Sequence, residues 1–574
     1  MDSSPRSVSE LNFPVDVRLT PSPRDWRDQV MYFLLVDRFD NNAPGLTPFT
    51  PAHAGSGRDI TQRNIFQGGN LSGITRRLDY IKGLGCSAVW ISPILKNRQD
   101  QPGSYHGYGI QDFLQVDPRF GTLADLRELT KQAHARGMYV ILDVVINHSG
   151  DVWAYPGDYP YDYFAGQTFP FGAWRESDPA AGLQNDDAIW PRELQTPDAF
   201  KRRGQIRDWM DAAQARDGDF LSLKELDVTK AQVLDTLIKV HKYWIAAADL
   251  DGFRIDTVKH LESSATAIFC NAIREYAQRV GKQNFFLFGE IVADDDTIGQ
   301  YLGRNARIDG SNERFPALDA ALDFPLYFAL EDVIKGFANP AVLRARHDAL
   351  RDRYADHGAA GRYFVTFVDN HDQMARPYRR FNHANPHPAQ AALATTYLLT
   401  SLGVPCVYYG TEQGFDGGGP DDSYVRECMF GGSWGAFDSS GRHFFNPKHA
   451  LYLAIHAVAR VRAAHSALRY GRQYFREISS SGIGFGYPLD GRCTLGYSRI
   501  LDSEEILVAL NLDAAGRSDY VTLDRNLTQP GTVLTNLLHP KITYTVEDRG
   551  GRSAVRVPLD GHSAAILASV SVAN

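Results

Sequence analysis

The 574-residue sequence predicts an α/β fold: a (β/α)8 TIM barrel with an inserted domain after strand 3 and a C-terminal antiparallel β-sandwich. Three observations predict it. Eight short apolar runs alternate with stretches of helical periodicity, the profile of parallel strands buried on both faces. After the third run, about 75 residues rich in aromatics replace the usual short connection. Beyond roughly residue 475 the helical period gives way to short β-type runs.

The elements follow in order. Residues 1–27 are polar and proline-rich and read as an N-terminal arm. The first part of the barrel, 28–148, holds apolar runs at 30–36, 87–91 and 139–146, the first ending in Asp37-Arg38-Phe39. Between the second and third, Thr122 and Asp125 form a capping box, Leu126, Leu129 and Ala133 recur at helical spacing, and Gly137 stops the helix.

The inserted domain, 149–224, carries Trp153, Tyr155, Tyr159, Tyr161, Tyr163, Phe164, Trp174 and Trp190, expected to serve mainly as its own small core. The second part of the barrel, 225–474, holds the runs at 252–256, 285–288, 321–324, 363–368 and 406–409. In 475–574, runs at 506–510 and 520–523 with Asp490-Gly491 and Asp560-Gly561 turns predict the sandwich.

Composition narrows the function. A formal charge of -8 and a pI near 6.1 show no basic excess, so nucleic acid is not the expected partner and a neutral substrate is. The first residues lack the profile of a leader, and no run approaches the ~20 apolar residues of a membrane span. Cys86, Cys270, Cys406, Cys428 and Cys493 are odd in number and widely spaced, which predicts free thiols in a reducing compartment, the cytoplasm.

The chemistry is expected where charge interrupts the apolar runs. In Gly-Phe-Arg-Ile-Asp-Thr-Val-Lys-His (252–260), alternation sends Phe253 and Ile255 to one face and Arg254 and Asp256 to the other. Alone, that pair reads as a structural salt bridge. However, Asp143 and Asn147-His148 end the third run, Glu290 ends the fifth, and His371-Asp372 end the seventh. On a closed barrel all of these converge on one mouth.

Acetal hydrolysis needs such carboxyls, one to attack or stabilise the cationic carbon and one to protonate the leaving oxygen. Arg254 would keep Asp256 ionised. An anion about 5 Å from Glu290 would cost roughly 3 kcal/mol, about two pK units, enough to hold its proton near neutral pH. Taken singly, His148 and His371 read as packing histidines, and Tyr108 reads equally as core or platform.

The segments Asp-Val-Val-Ile-Asn-His (143–148), Gly-Phe-Arg-Ile-Asp-Thr-Val-Lys-His (252–260), Phe-Gly-Glu (288–290) and Phe-Val-Asp-Asn-His-Asp (367–372) resemble the four ordered signature regions of the α-amylase family of glycoside hydrolases. Tyr105-His106-Gly107-Tyr108 and the stretch from Gly403 to Glu412 resemble its flanking motifs. The resemblance implies a retaining mechanism on an oligo- or polysaccharide α-glucan. Asp256 would be the nucleophile, Glu290 the acid/base and Asp372 the third acid. Arg254, His148 and His371 would bind at the bond-breaking subsite, Tyr108 would stack on the sugar, Lys259 would touch the leaving-group side, and Asp143 would be supporting.

The resemblance implies no cofactor for the chemistry but leaves open a structural calcium, held by Asn147, Glu225 and the carbonyl of His260. Lys224 beside Glu225 weakens that expectation. Two alternatives stand beside α-1,4-glucan hydrolysis. One is transglycosylation, in which a sugar hydroxyl replaces water. The other is an inactive carbohydrate-binding homologue, against which three retained, mutually repelling acids argue.

Overall fold

A computed structural model of the chain describes residues 5–15, 17–41, 63–184, 186–303, 317–354, 359–373, 378–383, 388–434 and 437–569. Its centre is a closed barrel of eight parallel strands. They are β1 (Met31–Leu34), β2 (Ala88–Ile91), β3 (Tyr139–Val144), β4 (Gly252–Ile255), β5 (Phe286–Gly289), β6 (Ala320–Leu322), β7 (Phe364–Thr366) and β8 (Val404–Tyr408). Each follows its predecessor around the ring, and β8 pairs with β1 to close it.

Every apolar run coincides with a strand, although several strands stop short of the run. The run at 321–324 divides because Asp323 accepts from the Leu326 N–H and caps the next helix, which takes Phe324. Helices such as α1 (Leu71–Leu84), α2 (Leu123–Ala135) and α3 (Ala231–Ala248) cover the barrel, and α2 begins with the expected Thr122–Asp125 capping box.

The barrel interior is filled, not open. Phe33 stacks on Trp90 at 3.7 Å between ring centroids, and Trp90 meets Phe288 edge-on at 5.3 Å. These rings form the floor beneath the strand ends. The opposite end is covered by the N-terminal arm, which lies against the barrel: Trp26 stacks on Phe286, its Nε1 donates to the Asn284 carbonyl, and the Tyr276 hydroxyl donates to the Pro14 carbonyl.

In the segment after β3, His148–Ser149 pairs antiparallel with Lys224–Glu225, so its two ends are tied together. Its aromatics largely pack on one another: Trp153 contacts Tyr155, Phe171 and Phe200, and Tyr161 stacks on Phe169. Tyr159 and Phe164 remain exposed.

The C-terminal region is a nine-stranded antiparallel sheet curling around its own core. Period-2 alternation divides its side chains. Leu507, Ala509 and Leu567 turn into that core, while Ile506, Val508 and Ile566 join the cluster that includes the barrel. Arg499 Nη1 donates to the Thr400 carbonyl at 2.6 Å, adding a polar tie.

Candidate active site

The strand register builds the site. On β4, Phe253 points outward onto Phe285 and His241, so Arg254 points into the barrel mouth. Arg254 lies opposite Asp143 on β3 and Phe288 on β5, and Asp256 follows one residue past the strand end. The fully buried guanidinium holds three carboxyls. Nη1 contacts Asp143 Oδ1 at 2.9 Å and Asp256 Oδ1 at 2.6 Å, and Nη2 contacts Glu290 Oε2 at 2.9 Å.

The backbone supports this arrangement. Thr257 adopts φ 47°, a conformation that disfavours a β-branched residue, and its N–H donates to Glu290 Oε2 at 3.2 Å. Gly289 is required beside Glu290, because a Cβ there would lie 2.6 Å from Leu318 Cδ1 and 2.7 Å from Val258 Cγ2.

A second ring of groups positions the first. Asp143 Oδ2 accepts from Trp90 Nε1 at 3.2 Å and from the Tyr108 hydroxyl at 2.8 Å. That hydroxyl also lies 2.8 Å from His371 Nε2, and the two rings stack 12° from parallel. Gly107 allows the turn into Tyr108: its φ is +87°, and a Cβ would fall 2.0 Å from the Pro93 carbonyl oxygen.

Asn370 Oδ1 accepts from the His371 backbone N–H at 2.7 Å and faces His371 Nδ1 at 2.8 Å. Arg426 donates to the His371 carbonyl at 3.0 Å and pairs with Asp422 at 2.9 Å. Asp372, half-buried, is the next residue and interacts with the charges of Glu290 and Arg426. His148 Nε2 lies 4.0 Å from Asp256 Oδ2, and Lys259 sits half-buried on the short helix Val258–His260.

Burial controls the protonation. It pushes Asp256 well above the usual carboxylate range, with Glu290 and Asp143 adding to the push and Arg254 opposing it. Burial likewise raises Asp143 to about 6 against Arg254, and Asp372 to about 7 with help from Glu290. The histidines move down and stay neutral, His148 to about 3 and His371 well below its ordinary value, in both cases chiefly by burial.

Arg254 therefore faces three carboxyls at once, and its lowering of Asp256 is opposed by burial and by the neighbouring acids, which the pairwise reading of the sequence leaves out. Asp143, Asp256, Glu290 and Asp372 outnumber Arg254 and Arg426. Burial therefore pushes Asp143, Asp256 and Asp372 up together, against the pull of the two arginines.

Several neighbours are not apparent from the sequence. Arg426 and Asn370 orient His371, and Trp90 holds Asp143. From the inserted segment, Trp209 and Phe220 meet edge-on at 4.8 Å, and Phe220 faces His148 at 6.2 Å and His260 at 5.6 Å. The only signal for Trp209 is an aromatic set among charged residues, Arg207-Asp208-Trp209-Met210-Asp211, where a core residue is out of place.

The residues expected to hold calcium are partly assembled. Asn147 Nδ2 donates to Glu225 Oε2 at 2.7 Å, while the ring of His260 faces the Ala215 carbonyl at 2.5 Å. Lys224 is not the interfering charge: strand alternation turns it to the other face, 3.3 Å from Asp151 and over the Trp153 ring. Lys201 instead places its ammonium 3.5 Å from Glu225 Oε1. Among the described residues, no group of three or more His, Cys, Asp or Glu is arranged to hold a metal ion. Asn147 Oδ1 and Glu225 Oε1 are buried oxygens without a hydrogen-bond partner among the described residues, but the Lys201 ammonium already stands beside the carboxylate that a cation seeking six to eight oxygens would need.

The chain is similar to known proteins in both sequence and fold. The family profile described as "Alpha amylase, catalytic domain" matches residues 33–429. An alpha-amylase of Streptomyces lividans is 30% identical over 90% of this chain and 59% of its own length. A cyclomaltodextrin glucanotransferase of Klebsiella oxytoca is 27% identical over 68% of this chain and 58% of its own. The chain thus spans less than two thirds of the length of these curated relatives. Among solved structures, an alpha-amylase of Geobacillus thermoleovorans complexed with acarbose superposes with a TM-score of 0.70 at 27% identity, covering 96% of this chain and 100% of that one. A cyclomaltodextrin glucanotransferase with a three-domain arrangement gives 0.72 at 25% identity over the same shares.

Proposed function

Because this chain belongs to the alpha-amylase family, we propose that it is a retaining α-glycoside hydrolase cleaving α-1,4-glucosidic bonds of starch-like glucans or maltooligosaccharides by double displacement. The observation that carries this reading is one buried guanidinium gripping Asp256 and Glu290 with different terminal nitrogens. Carboxyls held by one such fork are within reach of the roughly 5 Å separation that a covalent double displacement requires.

In the proposed cycle, Asp256 attacks the anomeric carbon while Glu290 passes its proton to the departing glycosidic oxygen. Glu290, now anionic, deprotonates a water that displaces Asp256, so the α configuration is restored and the proton returns to Glu290. Asp372 and His371 would hold sugar hydroxyls, His148 would bind beside Asp256, and Tyr108 would pack on the ring. Asp143 would act as an anchor for Arg254, and Lys259 would line the leaving-group side. The chemistry is carried by carboxyl groups and uses no cofactor.

A transglycosylase is the second reading, favoured by the glucanotransferase relatives and by the Trp209–Phe220 rim. An apolar rim can retain a sugar acceptor and exclude water. Maltoheptaose with products resolved by size separates the two: shorter glucans alone support hydrolysis, and longer or cyclic products support transfer. Absence of any turnover would support the inactive homologue and defeat both. Five unpaired, buried cysteines support operation in a reducing compartment, the cytoplasm. Among the described residues no helix is long and apolar enough to cross a membrane.

A further inference from the structure

We propose that the Lys201 ammonium is this chain's built-in replacement for a calcium ion, the cation that fastens the inserted segment to the barrel. Lys201 is buried, and its backbone N–H donates to the Glu225 carbonyl at 3.1 Å, so the residue is fixed beside the strand that carries Glu225. Its Nζ lies 3.5 Å from Glu225 Oε1 and 3.3 Å from Asp217 Oδ1, and it donates to the Arg216 carbonyl. Glu225 in turn accepts from Asn147, at the end of the β3 region.

The helix Ala212–Asp217 that offers Arg216 and Asp217 also receives His260, which follows β4, through the Ala215 carbonyl. One ammonium therefore sits where three parts meet: the residues after β3, the helix of the insertion, and the segment leading back to the barrel. That is where the family resemblance leaves open a calcium held by Asn147, Glu225 and the carbonyl of His260.

Charge makes the two cations alternatives. Glu225 is 1% exposed, and the Lys201 ammonium lies 3.5 Å from its Oε1. With Glu225 paired to Lys201, a dication entering beside it would meet an ammonium already in place. A covalently attached cation does not dissociate, so the loop bearing Trp209 and Phe220 would keep its place beside His148 without metal.

The test is metal content and thermal unfolding of the full chain. After dialysis against EDTA, the protein is analysed by elemental mass spectrometry and unfolded in EDTA and in millimolar calcium chloride. The proposal expects no stoichiometric calcium and the same midpoint in both buffers. About one calcium retained per chain, or a midpoint lowered by chelator, would overturn it. Lys201→Met should lower the midpoint by about 3 °C in EDTA, and Lys201→Arg should recover most of that loss. An unchanged midpoint in Lys201→Met would also overturn the proposal, and if that variant fails to fold, the chelation result on the native chain decides.

Discussion

Replacing Arg254 with methionine removes the cation that Asp143, Asp256 and Glu290 share, while nearly preserving side-chain volume. The guanidinium nitrogens lie 2.9, 2.6 and 2.9 Å from the oxygens of those three carboxyls. At an effective dielectric near 20, a charge about 4 Å away is worth about 4 kcal/mol, or about three pK units on one carboxyl. Spread over three coupled acids, about 1 to 2 units remain on each. The sign follows from the charge: removing a cation raises carboxyl pKa values, so an ionised Asp256 is lost at higher pH as the solution is acidified. The acid limb of kcat/KM should therefore move up by about 1 to 2 pH units. Loss of charged hydrogen bonds at about 1.5 to 3 kcal/mol each should lower the maximum by at least about a hundredfold. A pH series with a chromogenic maltooligoside, on protein shown by circular dichroism to be folded, measures both. A uniform loss with the acid limb in place would refute the idea that Arg254 acts through the charge of these carboxyls.

Gly289→Ala should cost about 1 to 3 kcal/mol of stability and, by moving Glu290, about a hundredfold in kcat, because its Cβ meets Leu318 and Val258 within 2.7 Å; undiminished turnover would show that the strand end gives way freely. Trp209→Ala should raise KM for maltoheptaose about three- to tenfold with little effect on a small aryl glucoside, and equal effects on both substrates would remove Trp209 from sugar binding. Burial alone would lower His134, but Asp249 and Asp251 prevail and raise it to about 9. Its contribution to stability is thus present below its ordinary value of 6.5 and lost as pH rises through about 9. Unfolding midpoints should fall across that window and fall less in His134→Gln; an identical slope in the variant would contradict the assignment.

The barrel is legible in the sequence because parallel strands buried on both faces leave unbroken apolar runs, and because the charges at their ends have no packing reason to be there. The run at 321–324 hides its boundary for a local reason: Asp323 caps a helix that the apolar pattern alone cannot distinguish from strand. Arg254 is legible as the partner of Asp256, since both lie on one strand. Its grip on Asp143 and Glu290 depends on register between strands far apart in sequence, which no local pattern encodes. Lys201 and Trp209 are hidden for a related reason. They sit in a long connection without periodicity, and only the folded insertion brings them to Glu225 and Phe220. Lys224, adjacent to Glu225 in sequence, points to a positive charge that Lys201 in fact supplies.

The most direct test of the proposed double displacement is to trap its covalent intermediate. Incubation with an activated fluorosugar, which slows the second displacement more than the first, should add the mass of one glycosyl unit, and peptide mapping should place it on Asp256. A label on any other residue, or the absence of a label together with release of the inverted anomer by NMR, would contradict the account.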